Sequence, residues 1–166
     1  MEYYLIYVST ADHLMSGDEL LQILEQSRAW NKAHGITGML IYIEGQFVHK
    51  DSRPIYSETT GRFMQVLEGS KQEVERIFNG IQADTRHHSV VVLQESAELS
   101  PNFETWQMGF KSITADEFKA SPGYFNIDQL LCGAADAELS NLPLHFLKSF
   151  YQRGKSGTTL FSSLEN

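Results

Sequence analysis

The alternation of apolar and polar positions divides the first two thirds of the chain into strands and two amphipathic helices. Residues 2–9 carry β-branched and aromatic side chains on both faces, which is typical of a strand inside a sheet. The same kind of pattern predicts four further strands, at residues 36–44, 63–67, 89–94 and 105–112.

Two helices are predicted between these strands, and each has a start signal. Ser16 and Glu19 form a capping-box pattern before a leucine-rich run, and Gly35 suits the end of that helix. Ser70 and Glu73 repeat the pattern ahead of an apolar stripe with helical spacing. The order βαββαββ predicts an α+β fold with ferredoxin-like character, in which two helices lie on one face of a sheet.

Strand patterning ends near Thr114. Residues 116–120, 127–131 and 144–152 predict short helices. We therefore expect residues 1–113 to form the main domain and residues 114–166 to form a C-terminal helical appendage. This appendage is too short to be a second, catalytic domain.

Composition and charge exclude several classes of function. The chain has 166 residues and a formal net charge of −8, which argues against a nucleic-acid or anionic-membrane surface. Cys132 is the only cysteine, and the histidines lack metal-ligand spacing, so neither a disulfide framework nor a metal site is expected. The N-terminus has no signal-peptide pattern, and no apolar run approaches the ~18 residues of a spanning helix. A cytoplasmic protein is expected.

Three polar side chains fall on faces that are otherwise apolar: Tyr7 in the first strand, Gln65 in the third strand and Asn31 on the stripe of the first helix. A buried tyrosine hydroxyl needs a partner, and a buried glutamine amide has several positions to satisfy. Together they suggest a polar pocket that suits a flat, hydrogen-bonding heterocycle better than a metal. Each also has an ordinary interpretation: a core tyrosine, a glutamine on a wet edge strand, and an asparagine near a frayed helix end.

Five motifs resemble, in this order, those of the BLUF domain, the sensor of blue light using FAD. They are LIYVS at 5–9, N-x-x-x-GITG at 31–38, FMQVLEG at 63–69, DTRHH at 84–88 and NFETWQMGF at 102–110. The match spans about residues 3–113. The resemblance implies a flavin, FAD or FMN, held between the two helices over a five-stranded mixed sheet.

The resemblance also implies roles for individual residues. Tyr7 would donate an electron to the excited flavin, Gln65 would lie between Tyr7 and the ring and exchange its hydrogen bonds, and Asn31 would bond the ring edge. Further residues match positions near the flavin (Asp84, Arg86 and His87) and positions of the signalling region (Ser9, Trp106 and Met108). Ser9 is expected near Trp106, and the period-two pattern predicts that Trp106, Met108 and Phe110 share one strand face.

Compared with the pattern of the family, residues 46–61 look like an insertion that forms either a hairpin arm or a polar loop. The resulting hypothesis is a short photoreceptor without an enzymatic output domain, which signals through a protein partner or a change in a homo-oligomer. Two alternatives are a light-independent flavin redox protein and a cofactor-free interaction module. The sequence has neither the nicotinamide fingerprint nor a P-loop.

Overall fold

The computed structural model describes residues 2–45, 59–98, 100–121, 124 and 142–155. Its strands are β1 (Glu2–Ala11), β2 (Thr37–Gly45), β3 (Thr60–Gly69), β4 (His87–Glu98) and β5 (Gly109–Thr114). Its helices are α1 (Gly17–His34), α2 (Lys71–Gln82), α3 (Ala115–Ala120) and α4 (Leu142–Lys155).

The strands form one sheet in the order β4-β1-β3-β2-β5. The β2–β5 pair is parallel and the other pairs are antiparallel, so the sheet is mixed. The predicted α+β, ferredoxin-like fold is therefore confirmed. β1 and β3 lie inside the sheet, which explains why both are apolar on both faces, whereas β4 is an edge strand with mostly exposed or half-exposed side chains.

Each face of the sheet has its own core. On one face, Leu5 and Leu40 pack with Leu24 of α1 and Val74 of α2. On the other face, alternate strand residues pack with the C-terminal helices, through Phe118, Leu144, Phe146, Leu147 and Phe150. The C-terminal segment thus covers the side of the sheet that α1 and α2 leave open.

Local signals at the helix ends behave as predicted. Ser16 and Glu19 form a complete capping box on α1, and Gly35 ends that helix in the left-handed region, at φ 64°. Ser70 caps α2 by accepting a bond from Glu73 N. Thr114, the last residue of β5, caps α3, so the chain passes from strand to helix without a loop. The division into residues 1–113 and 114–166 remains a prediction.

The predicted position of the fifth strand was wrong by several residues. β5 begins at Gly109, and the residues before it, including Trp106 and Met108, lie outside the ladder. The prediction that Trp106, Met108 and Phe110 share one strand face was also wrong, because Trp106 packs against the core of the C-terminal helices whereas Met108 and Phe110 belong to the core under α1 and α2. Period-two alternation holds only where the backbone is extended.

Two other predictions fall wholly or largely outside the described residues. The helix at 127–131 is one of them. Most of the expected insertion at 46–61 is the other; of its described part, Thr60 and Gly61 belong to β3 and pair with Gly45 and Glu44 of β2.

Candidate functional site

A cavity of about 310 Å³ opens between α1, α2 and the sheet. This volume lies at the lower end of the range for small-molecule sites. The apolar part of its lining comes from Ile23, Leu40, Phe63, Ile77 and Ile81. Its polar part includes every residue that the sequence placed at a cofactor: Tyr7, Asn31, Gln65, Asp84, Arg86 and His87.

Gln65 lines this cavity, and its amide lies between the side chains of Tyr7 and Met108. The Tyr7 hydroxyl donates to Gln65 Oε1 at 2.6 Å, and Gln65 Nε2 donates to Met108 Sδ at 3.4 Å. All three residues are buried. The amide therefore uses its acceptor end on β1 and one donor on the segment before β5, and its orientation is fixed by both.

Tyr7 is held as a neutral phenol. Burial raises its pKa well above the usual value, and the nearby carboxylate of Asp84 raises it further. The ring of Phe78 lies 5.5 Å away in a tilted arrangement, so α2 closes one side of the phenol. The hydroxyl proton is thus available to Gln65 and is not lost at neutral pH.

Asn31 and Arg28 project from α1 toward the segment before β5. Asn31 is buried, and its Nδ2 donates to the backbone carbonyl of Gln107. Arg28 Nε donates to the backbone carbonyl of Met108 at 3.1 Å. Asn31 is therefore not a solvated residue at a frayed helix end. Its side chain continues the buried stripe of Leu20 and Leu24.

The rim of the cavity near the end of α2 carries an ion pair. Arg86 donates to both carboxylate oxygens of Asp84 and, through Nη1, to Gln26 Oε1 of α1 at 3.1 Å. The hydrogen bonds from Arg86 lower the pKa of Asp84, so this carboxylate stays ionised near neutrality. One guanidinium thus joins the end of α2 to α1 across the opening.

His87 links β1 to α2. Its Nε2 lies 2.6 Å from the Ile81 carbonyl, and its Nδ1 lies 2.6 Å from Ser9 Oγ. A carbonyl only accepts, so Nε2 carries the hydrogen, and in the neutral ring Nδ1 accepts from the Ser9 hydroxyl. Ser9 is therefore engaged by His87, and it lies on the sheet face opposite to the core against which Trp106 packs. The structure does not place it beside Trp106.

Several lining residues were not predicted from the sequence: Gln26, Ser27, Trp30, Arg76 and Gly80. Trp30 is 48% exposed, stacks on His34 at 4.3 Å, and lies under the guanidinium of Arg76. Its position directly before Asn31 was the only available signal, because an exposed aromatic residue on a helix has no periodicity that marks a site.

A planar heterocycle with hydrogen-bonding edges fits this lining. The amides of Asn31 and Gln65 can each donate and accept, and the apolar side chains can cover the faces of a ring. Within the described residues, no group of three or more His, Cys, Asp or Glu side chains is arranged to hold a metal ion. None of the helices in the described ranges is long and apolar enough to cross a membrane.

The fold is that of an α+β domain with a pocket suited to a planar, hydrogen-bonding heterocycle. The chain matches the model of the BLUF family, sensors of blue light using FAD, over residues 3–50 and 55–109. It therefore belongs to the BLUF family.

Curated relatives include the alpha subunit of a photoactivated adenylate cyclase from Euglena gracilis, which is 35% identical over 89 residues. A second relative from that organism, described as a photoactivated adenylate cyclase subunit alpha-like protein, is 34% identical over 89 residues. Each alignment covers 54% of this chain but only 7% of the relative. The chain thus corresponds to a small part of these cyclases.

Solved structures share the fold over most of the chain. The dark state of the BLUF protein BlrB has a TM-score of 0.63 at 21% identity, covering 92% of this chain and 96% of BlrB. The photo-activated state of BlsA has a TM-score of 0.64 at 23% identity, covering 89% and 95%. BlrP1 of Klebsiella pneumoniae with FMN and cyclic diGMP has a TM-score of 0.56 at 23% identity, covering 93% of this chain and 35% of BlrP1.

Proposed function

We propose that this chain is a blue-light photoreceptor whose photoactive pair is Tyr7 and Gln65, with a flavin bound in the cavity between α1 and α2. The observation that carries this proposal is the line of hydrogen bonds from Tyr7 through Gln65 to Met108, which begins at two residues that line that cavity and ends at a residue outside its lining. A change in the hydrogen bonds of Gln65 would therefore alter both the cavity wall and the segment that contains Met108.

The residues that would hold the flavin are those that line the cavity. The amides of Asn31 and Gln65 would bond the polar edge of the ring, with Tyr7 behind Gln65. The ring and its side chain would lie next to the residues near the end of α2, which are Asp84, Arg86 and His87. FAD is proposed as the native cofactor because it is the flavin of the family, and FMN carries the same ring.

When bound, the flavin absorbs blue light, and its excited ring is a strong oxidant. Tyr7 would give up an electron to this ring, and its phenolic proton is directed at Gln65 Oε1, 2.6 Å away. Gln65 can then exchange the acceptor and donor ends of its amide, by rotation or by a change of tautomer. Met108 has an unbranched, adaptable side chain that can follow this exchange.

The proposed signal leaves through the segment that contains Met108. Trp106, two residues earlier, packs against the core that the C-terminal helices share with the sheet, so a shift of this segment would be passed to the core under α4. Ser9 would contribute through His87, which it contacts on the cavity side. We propose that the output is contact with a downstream protein or a rearrangement of a homo-oligomer in the cytoplasm, without catalysis by this chain.

The test is the absorption spectrum of the purified chain before and after blue light. A flavin band that moves to longer wavelength and returns in the dark is expected. Bleaching of the flavin to a reduced form would instead favour redox chemistry, and a colourless protein that takes up no added flavin would favour a cofactor-free module. Extraction of the bound flavin followed by chromatography distinguishes FAD from FMN.

A further inference from the structure

The backbone just before β5 is held by hydrogen bonds that are not part of the sheet ladder. Three successive carbonyls of this segment each accept one hydrogen bond, and two of the three donors are side chains of α1. The pairs are Trp106 O with Gly38 N, Gln107 O with Asn31 Nδ2, and Met108 O with Arg28 Nε. The position of Met108 is therefore set from α1.

We propose that Arg28 is a positioning residue for the light response: its Nε holds the Met108 backbone so that Met108 Sδ stays within bonding distance of the Gln65 amide. This inference rests on the proposed function, because it makes Arg28 responsible for holding Gln65 in its dark orientation. The relay runs over 3.1 Å from Arg28 to the Met108 carbonyl and over 3.4 Å from Met108 Sδ to Gln65.

The surroundings of Arg28 favour such a role over a role in binding the cofactor. Arg28 is half-buried on α1 and does not belong to the lining of the 310 Å³ cavity. It lines instead a second space of about 210 Å³, together with Thr105, Trp106, Gln107, Met108 and Gly109. This space gives the backbone of the segment room to shift once the bond from Nε is lost.

Loss of the Arg28 bond has a defined expected effect on the photocycle. The hydrogen bond from Gln65 to Met108 stabilises the dark orientation of the Gln65 amide. The switched orientation does not gain this bond. Without it, return to the dark orientation is less favoured, so dark recovery slows by at least about threefold, the scale of one weak hydrogen bond. The flavin content and the dark spectrum stay close to those of the wild type.

The experiment compares two uncharged substitutions of equal length, of which only one carries a hydrogen-bond donor. Arg28→Gln places an amide nitrogen the same number of bonds from Cα as Arg Nε, so it restores the donor without the charge. Arg28→Met has the same chain length and no donor. Slow recovery in Arg28→Met and a rate near wild type in Arg28→Gln are expected, measured by flash absorption on the flavin-loaded full chain. Lys32→Met, an exposed charge loss on the same helix, is the matched control.

Three outcomes overturn the inference while leaving the proposed function intact. They are a wild-type rate in Arg28→Met, equally slow recovery in both Arg28 variants, and a rate change in Arg28→Gln when Arg28→Met fails to bind flavin. A further check uses Met108→Leu, which removes the sulfur acceptor: adding Arg28→Met to it should cause no additional slowing. If the wild-type chain shows no reversible shift, the proposed function itself fails.

Discussion

Tyr7 and Gln65 are directly paired residues in the antiparallel ladder between β1 and β3, and their side chains point to the same face. Opposite residues in such a ladder have Cβ atoms about 4.5–5.5 Å apart. The 2.6 Å hydrogen bond between Tyr7 and Gln65 is therefore built into the strand register and does not depend on a loop. The strand register therefore defines the starting position of the Gln65 amide relative to the Tyr7 hydroxyl.

Tyr7→Phe is expected to bind flavin and to lose the reversible spectral shift. The substitution keeps the ring that lines the cavity and removes the donor to Gln65, together with the ready source of the proton. Leaving Gln65 Oε1 without this bond costs about 1–3 kcal/mol of stability if no water replaces it. Absorption spectra before and after illumination, with a urea unfolding curve, check both parts.

Tyr42→Phe is the matched control for Tyr7→Phe. Tyr42 is equally buried on the same face, but its hydroxyl accepts a hydrogen bond from the Met15 backbone nitrogen at 2.9 Å, and it does not line the cavity. This variant should lose stability and keep its spectral shift. A normal photocycle in Tyr7→Phe would falsify the electron-donor role.

Gln65→Leu is expected to bind flavin and to show no shift of the hydrogen-bonding type. It removes the acceptor of Tyr7 and the donor to Met108 in one step, which leaves a buried phenol hydroxyl unsatisfied. The expected loss of stability is about 1–3 kcal/mol. Light-minus-dark difference spectra are the measurement.

The control for Gln65→Leu is Gln94→Leu. Gln94 Nε2 also donates to a tyrosine hydroxyl, that of Tyr4 at 2.8 Å, but Tyr4 belongs to the core on the other face of the sheet. The spectral shift should survive in this variant. Survival of the same shift in Gln65→Leu would rule out glutamine as the switching group.

The parts of the fold that depend on local pattern could be predicted from the sequence. The strand alternation around Tyr7 and Gln65 placed both residues on an inner face, and the capping signals at Ser16 and Gly35 placed the ends of α1. These features depend on residues close together in the chain, so a periodicity of two or 3.6 records them.

The contacts of Met108 and Arg28 could not be predicted in the same way. Met108 lies in a segment without regular structure and meets Gln65 through its sulfur, whereas Arg28 bonds a backbone carbonyl of that segment. No alternation in the sequence marks which residue of α1 will meet this segment. The motif around Trp106 predicted that the fifth strand begins at residue 105. The strand begins at Gly109 instead, and Trp106 packs against the core under the C-terminal helices. Side chains that bond backbone leave no periodic signature.

Glu68 is a buried carboxylate that joins β3 to the segment before β5. Its oxygens accept bonds from Asn102 N at 2.9 Å, Asn102 Nδ2 at 2.7 Å and Phe103 N at 2.9 Å, and Asn102 in turn accepts from Lys148 of α4. Burial nevertheless raises the pKa of Glu68, because loss of hydration outweighs these bonds. The folded state therefore holds this proton to higher pH than the unfolded chain does.

Glu68→Gln should reveal this shift as a pH-dependent difference in stability. As pH rises from the ordinary glutamate pKa through the raised folded value, the wild type loses stability at this site and the variant does not. The advantage of the wild type over the variant should shrink over that window. At low pH the variant is less stable by about 1–3 kcal/mol, because the amide nitrogen cannot accept a hydrogen bond, whereas the hydroxyl oxygen of the protonated acid still can. Urea unfolding at several pH values measures the difference.

The control for Glu68→Gln is Glu25→Gln, which removes an exposed carboxylate from α1. Its difference from the wild type should show no matching trend over the same window. A wild-type advantage over Glu68→Gln that stays constant or grows with rising pH would contradict the raised pKa of Glu68.

Gly109→Ala is expected to destabilise the protein, because Gly109 lies against Trp106 and Met39. A Cβ at this position would overlap Trp106 Cε3 and would lie 2.6 Å from Met39 Sδ, so the indole or the start of β5 must move. Overpacking of this kind costs about 1–3 kcal/mol. Since Met108 adjoins this residue, the displacement should also change the dark recovery rate. In Gly17→Ala the new Cβ meets no atom within 4 Å, so this variant should keep the recovery rate and should not lose stability. Thermal unfolding and flash absorption of the two variants test this, and wild-type values of both in Gly109→Ala would show that Trp106 does not limit the space at the start of β5.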